Sequence, residues 1–105
     1  MEINIRGGKK YEREIVSKSI DWCLKRFRLD KIYRLKINVV VGSLSDCDGY
    51  CTSMDEPTNR SFKIAVSNDQ SLRDFVMTIV HEMIHVKQYA RQEWLVDGES
   101  DYSSL

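Results

Sequence analysis

The chain has 105 residues, 42% hydrophobic and 30% charged, which is the length and composition of one small globular domain over residues 1–105. Its 16 Lys and Arg balance 16 Asp and Glu, and this zero net charge excludes a uniformly basic polyanion binder. No apolar run approaches the ~18 residues of a membrane span. The three cysteines, an odd number, argue against a disulfide framework, so we expect a cytoplasmic protein without a membrane partner.

The charge is distributed unevenly along the chain. Residues 1–36 contain 11 basic and 5 acidic residues, whereas residues 37–105 contain 5 basic and 11 acidic residues. A basic N-terminal segment is compatible with contact to nucleic acid or to an acidic partner. A solvated helix face is the simpler interpretation, and both stay open from the sequence.

Alternation and helical spacing define the first elements. Ile3 and Ile5 alternate with polar neighbours, which predicts a short strand ahead of a double glycine that breaks the chain. From about Lys9 to Leu29 the apolar residues recur at helical spacing, and charges fill the other face. Alternation over residues 35–41 then predicts a strand with one buried face.

A hairpin is predicted in the middle of the chain. A loop rich in Ser, Asp and Gly over residues 42–49 leads into a short strand, Tyr50–Ser53. A turn at Pro57 separates it from a further strand, Phe62–Val66. Strands that follow each other so closely are usually neighbours, so we expect an antiparallel pair.

A second helix is predicted from Ser71 to about Gln92, and Asp74 at the third position after Ser71 resembles a capping box. Its apolar residues fall on one side of the helix: Leu72, Val76, Ile79, Met83, Val86, Ala90 and Trp94. Its polar residues fall on nearly the opposite side: Asp74, Thr78, His81, His85, Gln88 and Gln92. The polar side is expected to line a cleft.

This helix carries the sequence His81-Glu82-Met83-Ile84-His85, which includes both histidines of the chain. Two histidines four residues apart project the same way from a helix, so their ring nitrogens can reach one zinc ion at about 2.0–2.1 Å. Glu82 between them can act as a general base on a water that the metal activates. The motif therefore predicts a metal site with Glu82 as its catalytic residue.

The segment Val80–Tyr89 resembles the active-site helix of zincin metallopeptidases, and most closely that of small phage-encoded SprT-like metallopeptidases. The resemblance covers roughly residues 34–92 and implies that His81 and His85 bind Zn²⁺ while Glu82 is the base. It also implies an α+β domain, in which an N-terminal helix packs on a small, mostly antiparallel sheet of about three strands, followed by the motif helix. Residues 61–67 would be the edge strand that pairs with a peptide substrate. The expected location is the cytoplasm of a bacterial or phage-infected cell.

The resemblance ends where a third ligand is expected. The relatives continue into a Trp-Glu segment and a helix that would supply an acidic ligand, and nothing similar occurs before Leu105. A C-terminally shortened domain is therefore one interpretation, which the sequence leaves open. Catalytic zinc needs about three protein ligands plus water. Glu93 would lie about 12 Å beyond His85 on a continuing helix. Asp97 and Glu99 would lie near the far end of that helix. Asp101 is the preferred candidate, because a reversal of the chain after the helix would bring it back toward His85. A solvent ligand or a carboxylate of another subunit stays open.

Other side chains near the motif have two interpretations each. Tyr89 either polarises a substrate carbonyl or packs at the helix edge, and Gln88 either supports a neighbouring group or is exposed. Cys47 and Cys51 have a spacing that does not by itself make a zinc ribbon, so they are predicted to be small residues around the hairpin.

The sequence therefore leaves three functions open. The first is a zinc-dependent metallopeptidase that acts on a peptide or protein substrate. The second is a catalytically inactive zincin-like binding module that lacks a full third ligand. The third, with the least support, is a protein associated with nucleic acid.

Overall fold

The computed structural model describes residues 1–32, 34–55 and 58–91. The elements follow in the order β1 (Glu2–Gly7), α1 (Lys10–Arg26), a short 3-10 helix (Leu29–Lys31), β2 (Lys36–Gly42), β3 (Gly49–Ser53), β4 (Ser61–Ser67) and α2 (Leu72–Arg91). The α+β class is as expected, and both helices lie close to their predicted positions. Within those ranges no helix is both long and apolar enough to cross a membrane.

The sheet differs from the mostly antiparallel, three-stranded sheet expected. It has four strands in the order β1-β2-β4-β3. The pairs β1–β2 and β2–β4 are parallel, and only β3–β4 is antiparallel, as the hairpin predicted. The expectation was wrong because alternation of apolar residues locates a strand without fixing its direction. Here α1 forms the crossover between β1 and β2, and such a crossover joins parallel strands.

The turn between β1 and α1 explains the double glycine. Gly7 and Gly8 have φ angles of +81° and +65°, which residues other than glycine rarely adopt. A Cβ atom on Gly7 would lie 2.2 Å from the carbonyl oxygen of Val41, so the chain also passes too close to β2 for a side chain. At the start of α1, the buried Glu12 accepts a hydrogen bond from the Lys9 N–H (2.7 Å).

Both helices cover one face of the sheet. Helix α1 contacts β1 and α2, and α2 contacts β3 and β4. Along β2 the residues Ile37, Val39 and Val41 are buried, whereas Val40 between them is exposed on the other face. The side chains of one continuous core lie between the sheet and the two helices, including Val16, Ile20, Leu24, Phe62, Ile64, Phe75, Ile79, Met83 and Val86. Helix α2 is thereby fixed against the β3 side of the sheet.

Candidate active site

Helix α2 is held by its cap and by its apolar side. The Asp74 N–H donates to the Ser71 hydroxyl at 3.2 Å, as the predicted cap requires. Four residues of the predicted apolar side are buried, namely Ile79, Met83, Val86 and Ala90. Leu72 is exposed, contrary to prediction, because it belongs to the first turn, which the core does not cover; Phe75 is buried instead.

The two histidines point at a common position. Their Nε2 atoms lie 3.3 Å apart, and the rings are nearly perpendicular, with centroids 4.8 Å apart. Two nitrogens that are each about 2.0–2.1 Å from one tetrahedral ion must lie roughly 3.3–3.4 Å apart. The described positions of His81 and His85 therefore fit two ligand positions of a zinc site.

Gln88 fixes the ring of His85. Its side chain is only 7% exposed, and its Oε1 lies 3.2 Å from Nδ1 of His85. An amide oxygen only accepts, so this contact requires a proton on Nδ1 and leaves the lone pair of Nε2 available. Of the two sequence interpretations for Gln88, support of a neighbouring group is the one consistent with this contact.

Glu82 is a buried carboxylate, 5% exposed, between the helix and β3. Burial raises the pKa of Glu82, and the nearby His85 and His81 act in the opposite direction. Within residues 1–32, 34–55 and 58–91, no N–H or O–H group donates a hydrogen bond to this carboxylate. A buried acceptor without a donor retains its full capacity to take up a proton.

Gly49 permits the close approach of α2 to β3. A Cβ atom there would meet the Thr78 methyl at 2.6 Å, the Ala65 carbonyl oxygen at 2.9 Å and the Glu82 carboxylate at 3.5 Å. The sequence places Gly49 at the end of a loop, and nothing in the local pattern indicates this contact. Its absent side chain is what allows Thr78, one turn before Glu82 on α2, to lie against the edge strand.

We expect Gly49→Ala to reduce the free energy of unfolding by about 1–3 kcal/mol, because the new methyl group overlaps backbone that cannot retreat easily. Gly42→Ala is the matched control, since a Cβ atom at Gly42 would meet nothing within 4 Å. Chemical denaturation of both variants checks this. Equal stability of the two alanine variants would contradict the proposed tight contact.

Two clefts open on either side of Glu82, and both are lined by Gly49, His81 and Glu82. The cleft of about 410 Å³ is also lined by Asp48, Gln70, Asp74, Met77 and Thr78. The cleft of about 310 Å³ is also lined by Tyr50, Cys51, His85 and Tyr89. Tyr89 lines this cleft, and its ring centroid lies 6.1 Å from that of Phe62, which agrees with packing at the helix edge. Its role in polarising a substrate carbonyl stays a prediction.

The edge strand beside the clefts is β3. Residues 61–67 were expected at the edge, but β4 pairs with β2 on one side and with β3 on the other, so that expectation was wrong. The hairpin returns the chain to the middle of the sheet, which leaves β3 at the outside. The backbone edge nearest His81 and Glu82 therefore belongs to Gly49–Ser53.

The cysteines do not form a pair. Cys47 is exposed, Cys51 is half-buried in the smaller cleft and Cys23 is buried in the core. Burial, with a smaller contribution from the charge of Glu82, raises the pKa of Cys51 to about 12. Burial raises the pKa of Cys23 to about 11. The sequence predicted only that Cys47 and Cys51 are small residues around the hairpin, and it did not anticipate that Cys51 borders the histidine pair. The side chain of Cys51 faces that cleft because of its position in the alternation of β3.

We expect thiol alkylation of the folded protein near neutral pH to modify Cys47 first. Cys51 should react far more slowly and Cys23 only after unfolding, because the thiolate is the reactive form and burial disfavours it. Peptide mass mapping over a time course measures the three rates. If Cys51 reacted as fast as Cys47, its position within the cleft would be wrong.

The described residues offer no third side chain for a metal ion at the histidine pair. The predicted Asp101 lies outside them, as do Glu93, Asp97 and Glu99. Within the described part of the chain, no group of three His, Cys, Asp or Glu side chains is arranged to hold a metal ion. His81 and His85 as metal ligands, and Asp101 as the third, stay predictions.

Comparison of the chain with protein-family models, with curated proteins and with solved structures found no match.

Proposed function

We propose that the chain is a zinc-dependent peptidase of the zincin type, related to SprT-like proteins, with His81 and His85 as zinc ligands and Glu82 as the catalytic base. The observation that carries the proposal is the 3.3 Å separation of the two Nε2 atoms on the same helix as a buried carboxylate. The same separation also suits an N–H···N hydrogen bond between the two rings, so the buried carboxylate beside the pair is what favours a metal over that hydrogen bond. The sequence motif and its resemblance add support.

In the proposed mechanism, each part of the site has a separate task. When bound, Zn²⁺ would supply a Lewis acid that polarises the substrate carbonyl and acidifies a water molecule. Glu82 accepts the proton of the attacking water and delivers it to the leaving amine. Gln88 keeps the Nδ1 proton on His85, so that Nε2 of His85 keeps the lone pair that would bind the metal. Tyr89, which lines the cleft, is in the region where a carbonyl oxygen needs a donor.

The substrate is proposed to bind as an extended peptide along β3. The outer edge of Gly49–Ser53 has no neighbouring strand in the sheet as described, so its backbone can add one. Such backbone pairing would bring a peptide bond past Glu82 with little dependence on side-chain identity. The two clefts would then take the side chains on either side of that bond.

Zinc titration of the full chain, followed by peptide hydrolysis assays, tests the proposal. We expect submicromolar affinity at neutral pH, one zinc per chain, and loss of that affinity in both His81→Ala and His85→Ala. Asp30→Asn, which removes an exposed carboxylate from the short 3-10 helix, is the control and should leave the affinity unchanged. Tight zinc binding that survives both histidine substitutions would overturn the assignment.

The second candidate function is a binding module that keeps the scaffold without hydrolysis. The observation that favours it is that the described residues supply two ligands, whereas catalytic zinc needs about three. The same titration separates the two functions. Zinc binding weaker than about 10 μM, together with no hydrolysis of peptides, would favour the binding module.

A further inference from the structure

A basic cleft lies on a different side of α2 from the histidine pair. It has a volume of about 500 Å³, and Val80 and Ile84 of α2 form part of its lining. Four cationic side chains surround it, namely Arg26, Arg28, Lys87 and Arg91. Two of them come from the end of α1 and the turn after it, and two come from the last turns of α2.

Part of the positive charge of this basic cleft has no counter-charge among the described residues. No carboxylate is among the residues that line it. Neither Arg26 nor Arg28 forms a salt bridge with a carboxylate of the described ranges, whereas Lys25 next to Arg26 pairs with Asp21 at 3.1 Å. Arg26 and Arg28 lie close together without a carboxylate partner in that part of the chain, and like charges so placed repel each other, so this pair favours an anionic ligand.

The geometry of the basic cleft is fixed by backbone contacts. The Arg91 guanidinium donates to the carbonyl oxygens of Phe27 (2.6 Å) and Arg28 (3.1 Å), which joins the end of α2 to the end of α1. Arg28 adopts a left-handed conformation with φ of +58°, which ends α1 and turns the chain there. The cations therefore extend from a rigid corner of the fold rather than from a free helix face.

An exposed aromatic ring adjoins the cations. Trp22 is 55% exposed, and its ring meets Phe27 edge-on, with centroids 6.5 Å apart and planes at 72°. The ammonium group of Lys87 lies 5.9 Å from the centre of the Phe27 ring. An exposed indole beside guanidinium groups is the combination that binds single-stranded nucleic acid, because bases stack on the ring while phosphates meet the cations.

The geometry points to a binding site for single-stranded nucleic acid in the basic cleft, formed by Trp22 together with Arg26, Arg28, Lys87 and Arg91. A duplex has its base faces already stacked, so it would use the cations without the indole. An acidic peptide would likewise need the charges and not the stacking surface. The site differs from a basic face of α1 alone, because two of its four cations come from α2, and it does not depend on the proposed peptidase function.

The test measures binding of the full chain to fluorescently labelled oligo(dT) and oligo(U) by anisotropy, at about 50 and 200 mM salt. We expect Arg26→Gln/Arg28→Gln to weaken binding at least about tenfold and to reduce the slope of log affinity against log salt by about 1.4, or about 0.7 per lost phosphate contact. Trp22→Ala should weaken binding about tenfold, and Trp22→Phe, which keeps a ring, should weaken it less.

The control is Lys10→Gln/Arg73→Gln, which removes the same charge at the opposite ends of the two helices and should leave the affinity within about twofold of that of the parent. Equal weakening by the control would show general charge attraction and would overturn the proposal. Absence of binding at the lower salt concentration would overturn it too. Binding of polyglutamate with equal affinity and no effect of Trp22→Ala would identify an acidic-protein surface instead.

Discussion

Glu82→Gln is expected to lower the rate of peptide hydrolysis by about 10²–10⁴-fold while zinc affinity stays within a few-fold of the parent value. Glutamine has nearly the same shape as glutamate but takes up no proton, so proton transfer is lost and the site is otherwise kept. The measurement combines initial rates on an internally quenched peptide with zinc titration of the same preparation. Glu14→Gln, an exposed change on α1, is the matched control.

The stability of the Glu82→Gln variant provides an independent check. Because the carboxylate is buried with no donor among the described residues, its replacement by a neutral amide removes the cost of burying a charge. The thermal midpoint of the metal-free variant should therefore be no lower than that of the parent. Hydrolysis at the parent rate by Glu82→Gln would show that Glu82 is not the base, whatever its stability.

Local periodicity was sufficient to predict the two helices and to place the His81–His85 motif on the second of them. Helical spacing fixes which residues share a side, so the stacking of His81 and His85 follows from their separation of four residues. The cap at Ser71 is also local and was predicted. The hairpin of β3 and β4 followed because a short connection allows few other arrangements.

Direction and order of the strands depend on contacts that the sequence pattern does not contain. The parallel pairing of β1 with β2 results from α1 packing across the sheet, and the edge position of β3 results from β4 pairing with β2. The close approach of α2 to β3 depends in turn on Gly49, which lies against Thr78 and belongs to the loop pattern of the sequence. The helical spacing around Glu82 gives no sign that this glycine lies beside the helix.

The basic cleft likewise depends on contacts between elements that the sequence pattern does not contain. The excess of Lys and Arg in residues 1–36 indicates positive charge along α1, but Lys87 and Arg91 come from the part of the chain with net negative charge. Only the packing of α1 against α2 brings the four cations and Trp22 to one place. Composition alone therefore underestimates how concentrated the charge is.

We expect Gln88→Leu to weaken zinc binding about 10–100-fold, which is the usual effect of removing the group that orients a histidine ligand. Leucine fills the buried volume but accepts no hydrogen bond, so the Nδ1 proton of His85 loses its partner and both tautomers become populated. Long-range proton–nitrogen NMR spectra of the metal-free protein show the tautomer directly. Gln88→Glu, which restores an acceptor, should keep the Nδ1-protonated form and the zinc affinity.

His81 should respond together with His85, because Nε2 of His81 lies 3.3 Å from Nε2 of His85, the ring that Gln88 contacts. A proton that moves to Nε2 of His85 in Gln88→Leu is donated toward Nε2 of His81, so the tautomer signals of both rings should change. Unchanged tautomer signals of His85 in Gln88→Leu would contradict a specific role of Gln88. An altered tautomer of His85 without weaker zinc binding would show that Gln88 orients the ring but that this orientation does not limit metal binding. That outcome would contradict this prediction and leave the proposed zinc site unaffected.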